Sequence, residues 1–102
     1  MKIIKKLSDM IEDELEGAEN YIKCALKYKE TYPELAKMFA QLSEEEMGHM
    51  EKLHKAVVVQ IENYREEKGE PPEAMMAVYE YLHNKHIDRA TEIKVGQGMF
   101  RG

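Results

Sequence analysis

Two glutamates and a histidine occupy positions where the sequence pattern calls for apolar side chains. Apolar residues recur every three or four positions in two long stretches, a spacing that predicts two amphipathic helices. Glu14 interrupts the first apolar stripe, and Glu46 and His49 interrupt the second. Because burying an ionised carboxylate without a partner costs several kcal/mol, these side chains need a cation, a base or solvent beside them.

Prolines set the boundaries of these helices. Pro33 restricts the residue before it and suits a first helical turn, so we expect one helix over residues 3–31 and a second over residues 33–68. Their short connection predicts that the two are antiparallel neighbours. The predicted stripes are Leu7, Ile11, Glu14, Ala18, Tyr21, Ala25 and Tyr28, then Leu35, Phe39, Leu42, Glu46, His49, Leu53, Val57, Ile61 and Tyr64.

A shorter third helix is expected over residues 72–94, after a linker that contains Gly69 and Pro72. We expect residues 1–95 to form a single domain and residues 96–102 to form a flexible C-terminal tail, because glycines are spaced through that end. The predicted fold class is all-α: an antiparallel helical hairpin, a third helix, and a four-helix bundle completed by dimerisation.

Composition narrows the function classes. The chain has 102 residues and a net charge of −5, a sign that argues against nucleic acid as a partner. A mean hydropathy of −0.64 argues against a membrane span. The single cysteine, Cys24, excludes a disulfide framework, is typical of a cytoplasmic protein, and is expected to be a buried free thiol.

Glu46 and His49 are three residues apart, so on a helix they share a face. A glutamate on one helix that faces a Glu-x-x-His pair on the next is half of a carboxylate-bridged metal centre. The alternative is that both glutamates line a solvated edge and that His49 is a hydrogen-bonded core histidine. A second Glu-x-x-His pair, Glu80 and His83, is a candidate to complete the site within one chain.

Two further histidines, His54 and His86, are expected at the surface or the rim rather than as ligands. The methionines are expected to fill the core or an interface.

The segments around these residues resemble a known family. Residues 14–21 have a Glu, a small residue three positions later and a Tyr seven positions later, as in the first helix of rubrerythrin-like and encapsulated ferritins. Residues 32–35, Phe39 and residues 44–49 resemble the second helix, so the resemblance covers about residues 6–53. The chain departs from the encapsulated family at Asn20, where that family has Trp.

The resemblance implies a ferritin-like, di-iron protein with ferroxidase and iron-storage activity. It assigns metal-ligand and catalytic roles to Glu14, Glu46 and His49, and it maps Glu16 to an acidic residue on the iron entry path. Because one chain supplies half of the ligands, it implies a homodimer or a higher homo-oligomer, with the metal site shared between two copies.

Alternatives remain open. Zinc or manganese can use the same ligands, and a helical assembly or scaffold protein without enzymatic activity would keep the same stripes. Residues 95–101 resemble the short Gly-spaced peptides that dock cargo in encapsulin shells, which implies such a shell as a partner; a frayed terminus is the alternative.

Overall fold

A computed structural model describes residues 2–102, which form three helices and, within that range, no strand. They are α1 (Lys2–Tyr28), α2 (Pro33–Lys68) and α3 (Glu73–Arg101). The all-α prediction is confirmed, and α1 and α2 form the expected antiparallel hairpin. The molecule is 56 Å long, close to the length of a 36-residue helix such as α2.

The two connections follow the local chemistry of the sequence. The Tyr32 amide donates to the Tyr28 carbonyl at 2.8 Å, which ends α1 three residues before the predicted boundary, and Pro33 opens α2. Gly69 has φ 84°, a conformation that favours glycine, and its amide donates to the Arg65 carbonyl at 3.0 Å.

The buried face of α1 is rotated relative to the predicted stripe. Leu15 and Ile22 are buried, whereas the neighbouring stripe residues Glu14 and Tyr21 are half-buried. The reason is that α1 packs against α2 and α3 together, so its most buried line faces the groove between them. The buried residues of α1 are Ile4, Ser8, Ile11, Leu15, Ala18, Ile22 and Ala25.

The same rotation occurs on α2. Ser43 and Met47 are buried, Glu46 is half-buried, and His49 and Leu35 are exposed. The stripe positions Glu14, Glu46 and His49 therefore lie along an edge of the hairpin that α3 leaves uncovered. Other residues of the predicted stripes are in the core: Ile11, Ala18, Ala25, Val57 and Ile61.

The third helix corrects the predicted C-terminal tail. The sequence predicts a helix end near residue 94 and a flexible segment over residues 96–102, whereas α3 continues to Arg101. Gln97 is buried and donates to Ser43 Oγ at 3.0 Å. Lys29 Nζ donates to the Phe100 carbonyl at 2.9 Å, so tertiary contacts outweigh the low helix propensity of the glycines.

These contacts place α3 parallel to α1 and antiparallel to α2. Arg89 Nε donates to Glu19 Oε2 at 3.1 Å, linking α3 to α1. Contacts between α3 and α2 are much sparser than those between α1 and α2.

Candidate metal centre

The structure brings together the three residues that interrupt the predicted apolar stripes. One ligand atom from each of Glu14, Glu46 and His49 lies within 4.8 Å of the other two. The His49 Nδ1 atom lies 3.3 Å from Glu14 Oε2 and 3.9 Å from Glu46 Oε1. α1 supplies one carboxylate, and one turn of α2 supplies the second carboxylate and the imidazole.

The two carboxyl groups are close enough to interact strongly. A hydrogen bond with Glu14 raises the pKa of Glu46, partial burial and the charge of Glu14 raise this pKa further, and the charge of His49 opposes the rise. Ionising both carboxyl groups therefore costs free energy unless positive charge lies between them.

Gly17 makes room for the Glu46 side chain. A Cβ atom at Gly17 would lie 3.1 Å from Glu46 Oε2, closer than side chains ordinarily pack. Gly17 is three residues after Glu14, so the glycine and the carboxylate share one face of α1. In the sequence, Gly17 is the small residue of the first-helix motif. The sequence alone does not show that the Glu46 side chain occupies the space beside this glycine.

One side of the group is open. The side chains of Glu14 and Glu46 are 25% and 26% exposed, and that of His49 is 54% exposed. Farther along the same edge, Tyr21 stacks on Phe39 with ring centroids 6.3 Å apart. An approaching ion or a second chain therefore has access to the ligand atoms.

The donor set fits a divalent transition metal. Two carboxylates and a neutral imidazole suit iron, manganese or zinc. The proximity of the two carboxyl groups, which raises the pKa of Glu46, is the physical reason to expect a cation, since positive charge there would offset their mutual repulsion. Such a set leaves coordination positions for further ligands.

Other sequence-predicted residues lie elsewhere. Glu16 is exposed and is not part of the three-residue group. Glu80 is also exposed, and His83 stacks on His54 and Tyr79, so this second Glu-x-x-His pair does not complete the site within the chain.

Two single-residue expectations need correction. The sequence predicts His86 at the surface or the rim, but it is buried, because α3 turns it toward Glu12 of α1. Cys24 is free, as expected, but it is half-buried rather than buried.

Comparison with protein families gives one match. The family described as rubrerythrin matches residues 5–99 and so takes in most of all three helices. No curated protein and no solved structure gives a match. Within residues 2–102, every helix falls short of the length and apolarity that crossing a bilayer requires. The family match spans far more than half of the chain and confirms the ferritin-like resemblance, so the chain belongs to the rubrerythrin family.

Proposed function

We propose that the protein binds a di-iron centre shared between two copies of the chain, and that it oxidises Fe²⁺ there as a ferroxidase. Glu14, Glu46 and His49 of each copy would be the ligands. The observation that carries the proposal is the convergence of these three side chains at the open edge of the hairpin. The rubrerythrin family commonly binds iron, which favours this metal over zinc or manganese.

Two copies account for the number of ligands. Di-iron carboxylate bundles use a glutamate from each of two helices and a Glu-x-x-His pair from each of the other two. One chain supplies half of this set, whereas two chains supply four carboxylates and two imidazoles. The half-buried edge that carries Glu14 and Glu46 is where the second copy would pack.

Each protein group would have a separate role. Glu46 would bridge or chelate the ions, Glu14 would be a carboxylate ligand on their opposite side, and His49 would bind as a neutral nitrogen ligand. Fe²⁺ is the substrate: each ion gives one electron to O₂ or peroxide and leaves as Fe³⁺ for storage. The carboxylates favour the product, because the more highly charged ion binds anionic oxygen ligands more strongly.

The test is Fe²⁺ oxidation by single-residue variants, followed by absorbance. Glu46→Ala and Glu14→Ala are each expected to abolish protein-dependent oxidation and to leave the far-ultraviolet circular dichroism helical. The matched control is Glu45→Ala, which removes an exposed carboxylate one position away and should retain activity. Wild-type oxidation rates in both site variants would rule out the proposed ligands.

A non-enzymatic helical assembly protein remains the competing class, since the uncovered edge alone would support assembly. Metal content separates the two. Protein purified from iron-rich medium should carry stoichiometric iron if the di-iron proposal holds. An oligomer that survives chelators and carries no stoichiometric metal would favour the assembly protein.

A further inference from the structure

The outward face of α3 carries exposed apolar side chains. The side of α3 that packs against the rest of the molecule is marked by its buried residues, His86, Ala90, Ile93 and Gln97. On the opposite side of the helix lie the four most exposed large apolar side chains of residues 2–102, each 59–64% exposed: Val78, Tyr81, Val95 and Met99. Single exposed apolar residues are ordinary on a protein surface, whereas several on one helical face are typical of an interface.

These residues follow the spacing of a helix that pairs with another helix. Steps of three and four residues join them to Ala74 at one end and to three charged residues in the middle. We call the resulting row the outer seam; all of its members are exposed: Ala74, Val78, Tyr81, Lys85, Asp88, Glu92, Val95 and Met99. This alternation of three and four is the repeat of a two-helix coiled coil, in which polar seam residues fix register and orientation at a cost in stability.

The charged centre of the outer seam is not neutralised by ion pairs inside the chain. Within residues 2–102, Lys85, Asp88 and Glu92 form no salt bridge. The Lys85 ammonium lies over the Tyr81 ring, 5.6 Å from its centroid, and so stays on the outer seam. These charges are therefore available to a partner.

The order of residues along the outer seam is self-complementary. Two copies of α3 can run antiparallel with a two-fold axis that passes between residues 86 and 87. Lys85 then faces Asp88 of the second copy, which has the opposite charge, and Val78 faces Val95 of the second copy. The remaining pairs are Tyr81 with Glu92 and Ala74 with Met99. Because the contact is two-fold symmetric, every pair occurs twice.

Other arrangements of two copies bring like charges together or waste the apolar residues. In a parallel pair each residue faces its own equivalent, so Lys85, Asp88 and Glu92 would each meet the same charge. An antiparallel pair shifted by seven residues places Asp88 opposite Glu92 in one direction and opposite Val78 in the other. Like charges set against each other in an interface suppress that pairing.

We propose that the outer seam of α3 is a self-association surface, on which two copies of the chain pair antiparallel about a two-fold axis between residues 86 and 87. It shares no residue with the edge that carries Glu14, Glu46 and His49, and it requires no metal. Together with the proposed iron-dependent dimer, it would give each chain two different two-fold contacts and so lead to even-numbered assemblies larger than a dimer.

This contact should be weaker than the iron-dependent one. The outer seam is a single helix wide and is charged at its centre, which places it among small, transient interfaces. We expect half of the chains to be paired at about 100 μM, so that dilute protein shows the iron-dependent dimer alone.

The experiment is sedimentation of the full-length chain in the presence of chelator, over concentrations from about 10 to about 500 μM. Glu46→Ala is used as the background, so that the proposed iron-dependent dimer does not contribute. A reversible monomer–dimer equilibrium is expected in this range.

Charge reversal on the outer seam is the decisive step. Lys85→Glu and Asp88→Lys each set two pairs of like charges against each other, and each should weaken association at least tenfold. The two changes combined restore opposite charges and should return the affinity to within about threefold of its original value. The matched control is Lys94→Glu, which changes the net charge as Lys85→Glu does, at an exposed position of α3 outside the outer seam, and should leave association unchanged.

Three results would overturn the proposal: a monomer at every concentration, single reversals that act no differently from Lys94→Glu, or a double reversal that stays as weak as the single ones. The two proposals fail separately, because Fe²⁺ oxidation by Lys85→Glu at low protein concentration should match wild type whether or not the outer seam associates.

Discussion

Glu46 is the most constrained side chain of the candidate centre, because it meets Glu14, His49 and Gly17 together. A hydrogen bond with Glu14, partial burial and the charge of Glu14 raise the pKa of its carboxyl group. The metal-free protein therefore carries a built-in cost at neutral pH that a bound cation would remove.

This cost predicts a pH-dependent gain from Glu46→Gln in the metal-free protein. A raised pKa means that the folded state holds the Glu46 proton more tightly than the unfolded chain does. The resulting stability is present below the ordinary pKa and is lost as pH rises through the folded value. Relative to wild type, the melting temperature of the variant should be nearly equal at about pH 4 and higher at about pH 7.

Thermal unfolding followed by circular dichroism, with chelator in both samples, measures this difference. Comparing the variant with wild type cancels the contributions of other titrating groups, such as Glu19, whose pKa is lowered by Lys23 and Arg89. A variant that is less stable than wild type at neutral pH would contradict the account.

Gly17 gives a second prediction at a single residue. Gly17→Ala should weaken metal binding by about tenfold, as changes next to metal ligands commonly do, because the new Cβ displaces Glu46 Oε2. The fold should be kept or slightly stabilised, since alanine favours the helix by about 1 kcal/mol over glycine.

The matched control is Gly48→Ala, where a Cβ meets nothing within 4 Å although the residue lies between Glu46 and His49 in sequence. It should show the same gain in helix stability with unchanged metal affinity, measured by calorimetric titration. Equal affinities in the two variants would show that Gly17 does not position Glu46.

Among the helices, α3 depends most on a few polar contacts. Ser43 Oγ donates to the Ala18 carbonyl at 2.7 Å and accepts from Gln97, so one buried serine connects all three helices. Such a bond contributes about 1 kcal/mol to stability.

Gln97→Ala should therefore lower the free energy of unfolding by about 1–2 kcal/mol, since it removes the bond to Ser43 and the side-chain packing. Met99→Ala, two residues away and 63% exposed, should change it by less than about 0.5 kcal/mol. Urea unfolding of both variants makes the comparison. Equal effects would mean that the end of α3 is not held as the structure indicates.

The helices themselves were largely predictable from the sequence. Pro33 and Gly69 mark helix boundaries through their own backbone conformations, and apolar residues recur regularly every three or four positions. The end of α3 was not, because Gly96 and Gly98 favour a helix end on their own. The contacts of Gln97 and Phe100 that hold this segment are long-range, and no local pattern contains them.

The candidate site was predictable in its residues but not in its geometry. Counted from Pro33, Glu14 and Glu46 are offset by about six residues, or roughly 9 Å along the helix axes, so sequence alone left their contact undecided. The two side chains meet in the structure for two reasons. Residues 29–32 form a turn rather than helix, and each side chain leans toward the N-terminus of its own helix.

At the scale of the whole molecule, α3 leaves uncovered the edge of the hairpin that carries Glu14, Glu46 and His49. Half-buried and exposed apolar residues of α2, including Leu42 and Leu35, belong to the same predicted stripe as Glu46 and His49. A second copy packed on this edge would bury those side chains and complete the ligand set in one step. Dimerisation and iron binding should therefore be coupled, each stabilising the other.

Native mass spectrometry of the protein loaded with Fe²⁺ under anaerobic conditions tests this claim most directly. The account predicts a dimer that carries about two iron ions, and a loss of the iron with weakening of the dimer in Glu46→Ala. Iron-free monomers of the wild-type chain, or a Glu46→Ala dimer that keeps the same iron content, would contradict it.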